Sequence, residues 1–146
     1  MLAPLLPRST WFSATGRRHL LASPPPARWA LRFLLFKLML LSGYVKLQSG
    51  CTTWTSLTAT EYHFATQPLP TPMAWVLHQS PPILHKLAVA ATMWAEGPGA
   101  FLLLVPFAPI ANFAAYVQLF LQTMISLSGN YTFFNLLTMV LCAAVL

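Results

Sequence analysis

Between residue 38 and residue 146 the chain carries four charged side chains, Lys46, Glu61, Lys86 and Glu96. A soluble domain of ordinary composition has about a quarter of its residues charged, and water cannot solvate a surface built without them. Apolar residues make up 57% of the chain and charged residues 7%, with a mean hydropathy of +0.64. Disorder is excluded for most of the length, because disordered segments are polar and poor in aromatics, whereas 13% of this chain is aromatic. A fold whose solvent is lipid remains. In lipid the backbone must satisfy its own hydrogen bonds, which helices do within a single segment.

The net charge is +6. Six of the eight basic residues (Arg8, Arg17, Arg18, Arg28, Arg32 and Lys37) precede or enter the first apolar run. That is the placement of a cytosolic flank and argues against nucleic acid as a partner. Met1–Pro7 is no secretory signal, being too short and interrupted by Pro4 and Pro7. Residues 1–27 read as an irregular basic segment, with Pro24-Pro25-Pro26 breaking any helix. Residues 28–146 read as a membrane domain.

Four apolar runs follow. Trp29–Val45 has 17 residues and contains Arg32 and Lys37, against about 20 apolar residues for a spanning helix. Arg28 and Arg32 share a face and can reach headgroups, and Lys46 closes the other end. Lys37 sits near mid-run, where a charge costs about 3 kcal/mol. It either snorkels or meets a partner inside the bundle. Leu84–Phe107 has 24 residues but is interrupted by Glu96-Gly97-Pro98-Gly99. It reads as a kinked span, two half-helices or a re-entrant segment. Ile110–Leu127 has 18 uncharged residues, with Gln118, Gln122 and Ser126 four apart on one face, a stripe suited to helix packing or, less simply, to a transport path. Phe133–Leu146 has 14 residues and ends without a polar anchor, as a truncated chain would. The expected architecture is all-α: a multi-pass transmembrane bundle of three to four membrane helices with a structured lumenal loop.

That loop is residues 48–82. It is too long and too aromatic to be a tether. Trp54, Tyr62, Phe64 and Trp75 suit a membrane interface. Short helices are expected around Thr55–Tyr62 and Thr71–His78, with Pro72 in a first helical turn. The basic N-terminal flank puts the loop on the lumenal or outer side. Asn130-Tyr131-Thr132 is a glycosylation sequon wedged between two apolar runs, too close to the bilayer for ready access, and Gly129-Asn130 better suits a tight turn.

Catalytic chemistry is thinly represented. There is no phosphate loop, no HExxH and no nucleophile elbow. The two cysteines, Cys51 and Cys142, have no metal spacing and predict no disulfide. Among His19, His63, His78 and His85, only His63 and His78 with Glu61 suggest a metal site, and spacing alone does not make one. No metal or cofactor is expected. Glu96 is the sharpest single residue, because a carboxylate inside an apolar run needs a partner. Lys37 is the natural candidate; the alternative is that Glu96 binds backbone amides freed at the helix break.

Several stretches resemble the lipase maturation factor family, and its second paralogue more than its first. They are Arg32–Lys37, Gly43–Leu47, Trp54, Tyr62-His63-Phe64, Thr66-Gln67-Pro68-Leu69-Pro70-Thr71-Pro72, Trp75, His78-Gln79, Gly129-Asn130-Tyr131 and Phe133–Thr138. The resemblance runs from about Arg28 to the C-terminus. It implies a multi-pass endoplasmic reticulum protein, several times longer in full, that helps secreted lipases such as lipoprotein lipase to mature. This chain departs from the family where Thr52-Thr53 stand before the loop tryptophan in place of Asp-Pro, and at Gly97-Pro98-Gly99. The resemblance makes Trp54, Tyr62, His63, Gln67, Pro68, Pro70, Pro72, Trp75 and His78 candidates for client contact or for holding the loop's shape. Two rivals stand: an inert truncated product, or a membrane enzyme, because the family's helical core is distantly similar to the membrane domain of vitamin K-dependent carboxylase. Lys37, His63 and Glu96 would then have to share a pocket.

Overall fold

The computed structural model describes residues 25–67, 69–129 and 132–146. These are helical, with no strand among them. Helix α1 spans Pro25–Gln48, beginning earlier than expected. Pro25 and Pro26 start it, because the first helical turn needs no N–H from them. The 1–27 boundary therefore gives way to a helix start at residue 25, and residues 1–24 lie outside those described. The helix α5 spans Pro82–Glu96, with Pro82 again in its first turn. After Gly97 come α6, Pro98–Phe101, and a 3-10 turn, Leu102–Leu104. Helix α7 spans Ala108–Ser128 and α8 spans Thr132–Val145.

Two stretches are long and apolar enough to cross a membrane, Pro82–Leu104 and Ala108–Ser128. Only 33% and 28% of them is buried, the reverse of a core helix in a soluble domain. Helix α1 is long enough, but it carries Arg28, Arg32, Lys37 and Lys46, side chains costly within hydrocarbon unless they reach the interface or a partner. Helix α8 is apolar but has only 14 residues.

The buried positions of α1, α7 and α8 each form one stripe, and apart from Lys37 the outward positions are mostly apolar. In α1 the stripe is Arg32, Leu35, Met39 and Gly43; in α7 it is Ala111, Ala114, Ala115, Gln118 and Gln122; in α8 it is Asn135, Thr138, Cys142 and Val145. These are the i, i+3, i+4, i+7 steps of one helical face. Leu35, Met39, Ala100, Leu103, Ala114, Ala115, Cys142 and Val145 form the apolar core. The alanines and Gly43 let helices approach closely, as small residues do in membrane bundles. Outward lie Phe33, Leu41, Tyr44, Phe113, Tyr116, Phe120 and Phe133. The polar side chains Gln118, Gln122, Asn135 and Thr138 are inside. This inverted polarity suits a lipid solvent.

Three short helices link α1 to α5. They are α2, Thr52–Thr55; α3, Ala59–Thr66; and α4, Pro72–His78. The second expected loop helix lies where Pro72 placed it, the first starts four residues later than expected, and α2 is additional. The three cover one end of the bundle, α3 packing on α4 and α5, and α4 on α7.

Candidate functional site

A polar cluster lies where α1 meets the break after α5. A Cβ at Gly43 would stand 3.0 Å from the Glu96 carbonyl oxygen, so the two backbones touch there. Glu96 is 3% exposed. Its carboxylate is ion-paired with Lys46. The Lys46 ammonium also donates to the Ser42 hydroxyl at 2.9 Å and lies 5.3 Å from the centre of the Trp54 ring. It sits near the C-terminal end of α5, where a helix dipole favours a cation.

Lys37 is not the partner of Glu96. Lys37 is exposed. Lys46 lies three residues beyond Gly43, about 60° round the helix from it, while Lys37 is six residues before it and about 120° round. Nor does the Glu96 carboxylate bind the freed backbone amides: its partner is the Lys46 ammonium. The Ala95 carbonyl, free at the break, accepts from Gln118 Nε2 at 2.6 Å. Gln122 Nε2 faces Met39 Sδ at 3.7 Å. Gln118 Oε1, Gln122 Oε1 and Asn135 Nδ2 are buried without a hydrogen-bond partner among the described residues. The expected stripe of Gln118 and Gln122 is thus interior, with one member capping the break.

The α2–α4 cover is tied down at three points. Trp54 meets Lys46. The Thr60 hydroxyl lies 3.1 Å from His85 Nδ1 and 3.2 Å from the His85 carbonyl oxygen, with the Phe64 ring 5.9 Å from that imidazole. The Thr71 hydroxyl accepts from Ala74 N at 3.1 Å and donates to the Leu127 carbonyl at 2.9 Å, so it caps α4 and ties it to α7 together. Half-burial pushes the His63 imidazole below its ordinary pKa. Gln67 ends α3 in extended backbone, with both side-chain polar atoms buried and unpartnered among the described residues. That backbone is what the residue before a proline favours. Pro70 and His78 are exposed, as are Tyr62 (61%) and Trp75 (68%). Pro68 and Asn130 lie outside the described residues.

Of the candidates, Trp54 and Glu96 share the Lys46 junction, while Tyr62 on α3 and Trp75 on α4 are exposed. Lys37, His63 and Glu96 are on three separate elements, α1, α3 and α5. Among the described residues no group of three or more His, Cys, Asp or Glu side chains could hold a metal, so Glu61, His63 and His78 do not form one. Lys46, Ser42, Thr60, His85 and Thr71 escaped the sequence reading as site residues. A lysine at a run's end and a histidine near a run's start look like flanking residues until the helices are placed.

The family model for the lipase maturation factor transmembrane domain matches residues 1–146. Human lipase maturation factor 2 is 45% identical over the whole chain, which covers 21% of that protein. The Xenopus laevis protein of that name is 49% identical over 81% of the chain and 17% of its own length. Human lipase maturation factor 1 is 36% identical over 77% of the chain and 19% of its own length. The chain thus spans about a fifth of the curated relatives it matches. No solved structure matches it. A transmembrane-domain match along the entire chain, with a bundle that is polar inside and apolar outside, leads to one conclusion: the chain belongs to the lipase maturation factor family.

Proposed function

We propose that this chain is the membrane segment of an endoplasmic reticulum factor that assists folding or assembly of secreted lipases. The observation that carries this reading is the 45% identity, along the entire chain, to a human protein named for lipase maturation. In the proposed topology α1 crosses from a cytosolic basic flank and α5–α6 returns. Helix α7 crosses again and α8 returns. The cover α2–α4 is then lumenal, and Asn130 faces the lumen close to the bilayer. Lipid is the partner of the outer faces. The exposed aromatics Tyr62 and Trp75 offer a client surface of the type that dominates interface energetics. The factor acts without covalent chemistry, a reading supported by the exposure of Lys37 and by the burial of Glu96 in an ion pair with Lys46.

The test is rescue of secreted lipase activity in cells lacking their maturation factor. This chain and a full-length relative are expressed at equal level. Rescue by the full-length protein, lost when Tyr62 and Trp75 are both changed to Ala, supports the reading. Rescue unchanged by those substitutions removes the client surface, and no rescue by either protein removes the maturation role.

A further inference from the structure

We propose that Arg32, with Arg28 beside it, binds the phosphate of an anionic phospholipid at the boundary of the bilayer. Arg32 is 7% exposed and lies on the packed stripe of α1 with Leu35 and Met39. Among the described residues its guanidinium meets one partner, the Trp29 ring, 5.7 Å from the ring centre. A ring face supplies no oxygen to the N–H donors of a guanidinium, and a charge so deeply buried needs an anion. No acidic side chain of this chain can supply it. The acidic residues are Glu61 and Glu96 alone. Glu96 is paired with Lys46, about 21 Å along α1 from Arg32. Glu61 is on α3, in the cover at the opposite end of the bundle. The anion therefore comes from outside the chain.

Position and charge identify the source. Leu35 packs with Leu103 in the core, and the apolar span Pro82–Leu104 ends one residue later. Arg32 is one turn nearer the start of α1 than Leu35, so it stands at the end of that span. Its guanidinium reaches Trp29, three residues earlier, and so points further toward the helix start, as helical side chains do. This is the level at which the phosphates of a leaflet lie. Arg28 is half-buried one turn closer to the surface on the same face. Trp29 is 42% exposed, an indole at the depth where indoles gather. Helix α7 starts shortly after Leu104 without a side-chain cap, and neither it nor α1 has an acidic residue in its first turn. Two guanidinium groups and two helix N-termini thus build a positive field with no negative side chain in it. The several oxygens of a phosphate match planar guanidinium forks. A headgroup of net negative charge is favoured over phosphatidylcholine, whose choline would add a cation to this field. The proposal rests on α1 lying in the bilayer.

The test uses the 146-residue chain in phosphatidylcholine nanodiscs containing a minor share of phosphatidylinositol. Lipids retained on the chain after its release are identified by native mass spectrometry. Phosphatidylinositol should be retained several-fold above its share in the bilayer. Arg32→Gln should abolish that excess. Arg32→Lys should lose most of it, because an ammonium keeps the charge but not the fork. Lys37→Gln, which removes an equal but exposed charge from α1, should keep it. Protection of the buried Cys142 from alkylation verifies that each variant is folded. Retention by the wild-type chain in proportion to the bilayer overturns the proposal and leaves a carboxylate from outside the chain as the partner of Arg32. An excess unchanged by Arg32→Gln, or lowered as much by Lys37→Gln, overturns it in favour of general surface attraction. Loss of the chain from native membranes on carbonate washing defeats the bilayer reading itself, and with it the site.

Discussion

Replacing Lys46 by Met tests the junction most sharply, because the two partners of the ion pair are unequally buried. Glu96 has 4% of its side chain exposed and Lys46 19%. Removing Lys46 leaves a carboxylate with no charge partner inside the bundle, and breaking a buried pair in this way costs about 3–5 kcal/mol. Removing the charge of Glu96 by Gln leaves Lys46 with the Ser42 hydroxyl and the Trp54 ring, and a lysine near a helix end can extend toward water. The expected cost is about 1.5–3 kcal/mol, the worth of one charged hydrogen bond. In a domain of this size about 1 kcal/mol moves Tm by roughly 2–4 °C. Lys46→Met should therefore lower Tm by roughly 6–20 °C and Glu96→Gln by roughly 3–12 °C. The double variant should fall between wild type and Lys46→Met, giving a clear coupling in a double-mutant cycle. The assay is heating in detergent with a thiol-reactive dye in a Cys51→Ser background, where Cys142 in the core reports unfolding. Lys37→Met is the control and should change Tm little. Equal Tm losses for Lys37→Met and Lys46→Met, or none for Lys46→Met, would refute the reasoning.

Four further outcomes follow from named contacts. Gly43→Ala should destabilise by about 1–3 kcal/mol by overpacking against the Glu96 backbone, whereas helix propensity alone favours Ala by up to about 1 kcal/mol; the sign of the Tm shift decides. Gln118→Leu should cost about 1–3 kcal/mol by orphaning the buried Ala95 carbonyl, while Gln122→Leu, which loses only a weak sulfur contact, should be near neutral. His63 has its pKa depressed by burial, so its neutral form stabilises the fold above the ordinary value of 6.5, and that contribution is lost as pH falls through the depressed value. Protection factors in Ala59–Thr66, corrected for the intrinsic pH dependence of exchange, should then fall from pH 7.5 to 5.5, and lose that dependence in His63→Gln. Thr53 Oγ1 lies 3.0 Å from Cys51 Sγ and holds the thiol below its ordinary pKa, so Thr53→Val should slow alkylation of Cys51 near neutral pH.

The helical class, the apolar runs and the interruption at Glu96–Gly99 were legible because lipid imposes composition and length on any spanning segment. The bounds of α7 and α8 lie within two residues of the apolar runs for the same reason. The start of α1 was misread because a proline run was taken as a break, when prolines at a first turn cost no hydrogen bond. The need of Glu96 for a cation was legible from chemistry. Which cation answers it was not, because the choice between Lys37 and Lys46 depends on where Gly43 crosses α5. Gln118 illustrates the same limit. Its place on a packed face followed from four-residue spacing, but its role as the cap of Ala95 required the α5 break to stand beside α7. The short α2 carries no periodic signal at four residues, and the ties Thr60–His85 and Thr71–Leu127 join residues 25 and 56 positions apart.

The central claim is that the chain spans the membrane with its α2–α4 cover in the lumen, and Cys51 can report this directly. Cys51 is exposed in the cover and Cys142 is buried. Sealed microsomes carrying the chain are treated with a permeant reductant and then with a membrane-impermeant maleimide, before and after the membrane is permeabilised. The account predicts that Cys51 is labelled only after permeabilisation, with the chain resisting carbonate extraction throughout. Labelling of Cys51 in intact microsomes would place the cover on the cytosolic side and contradict the account.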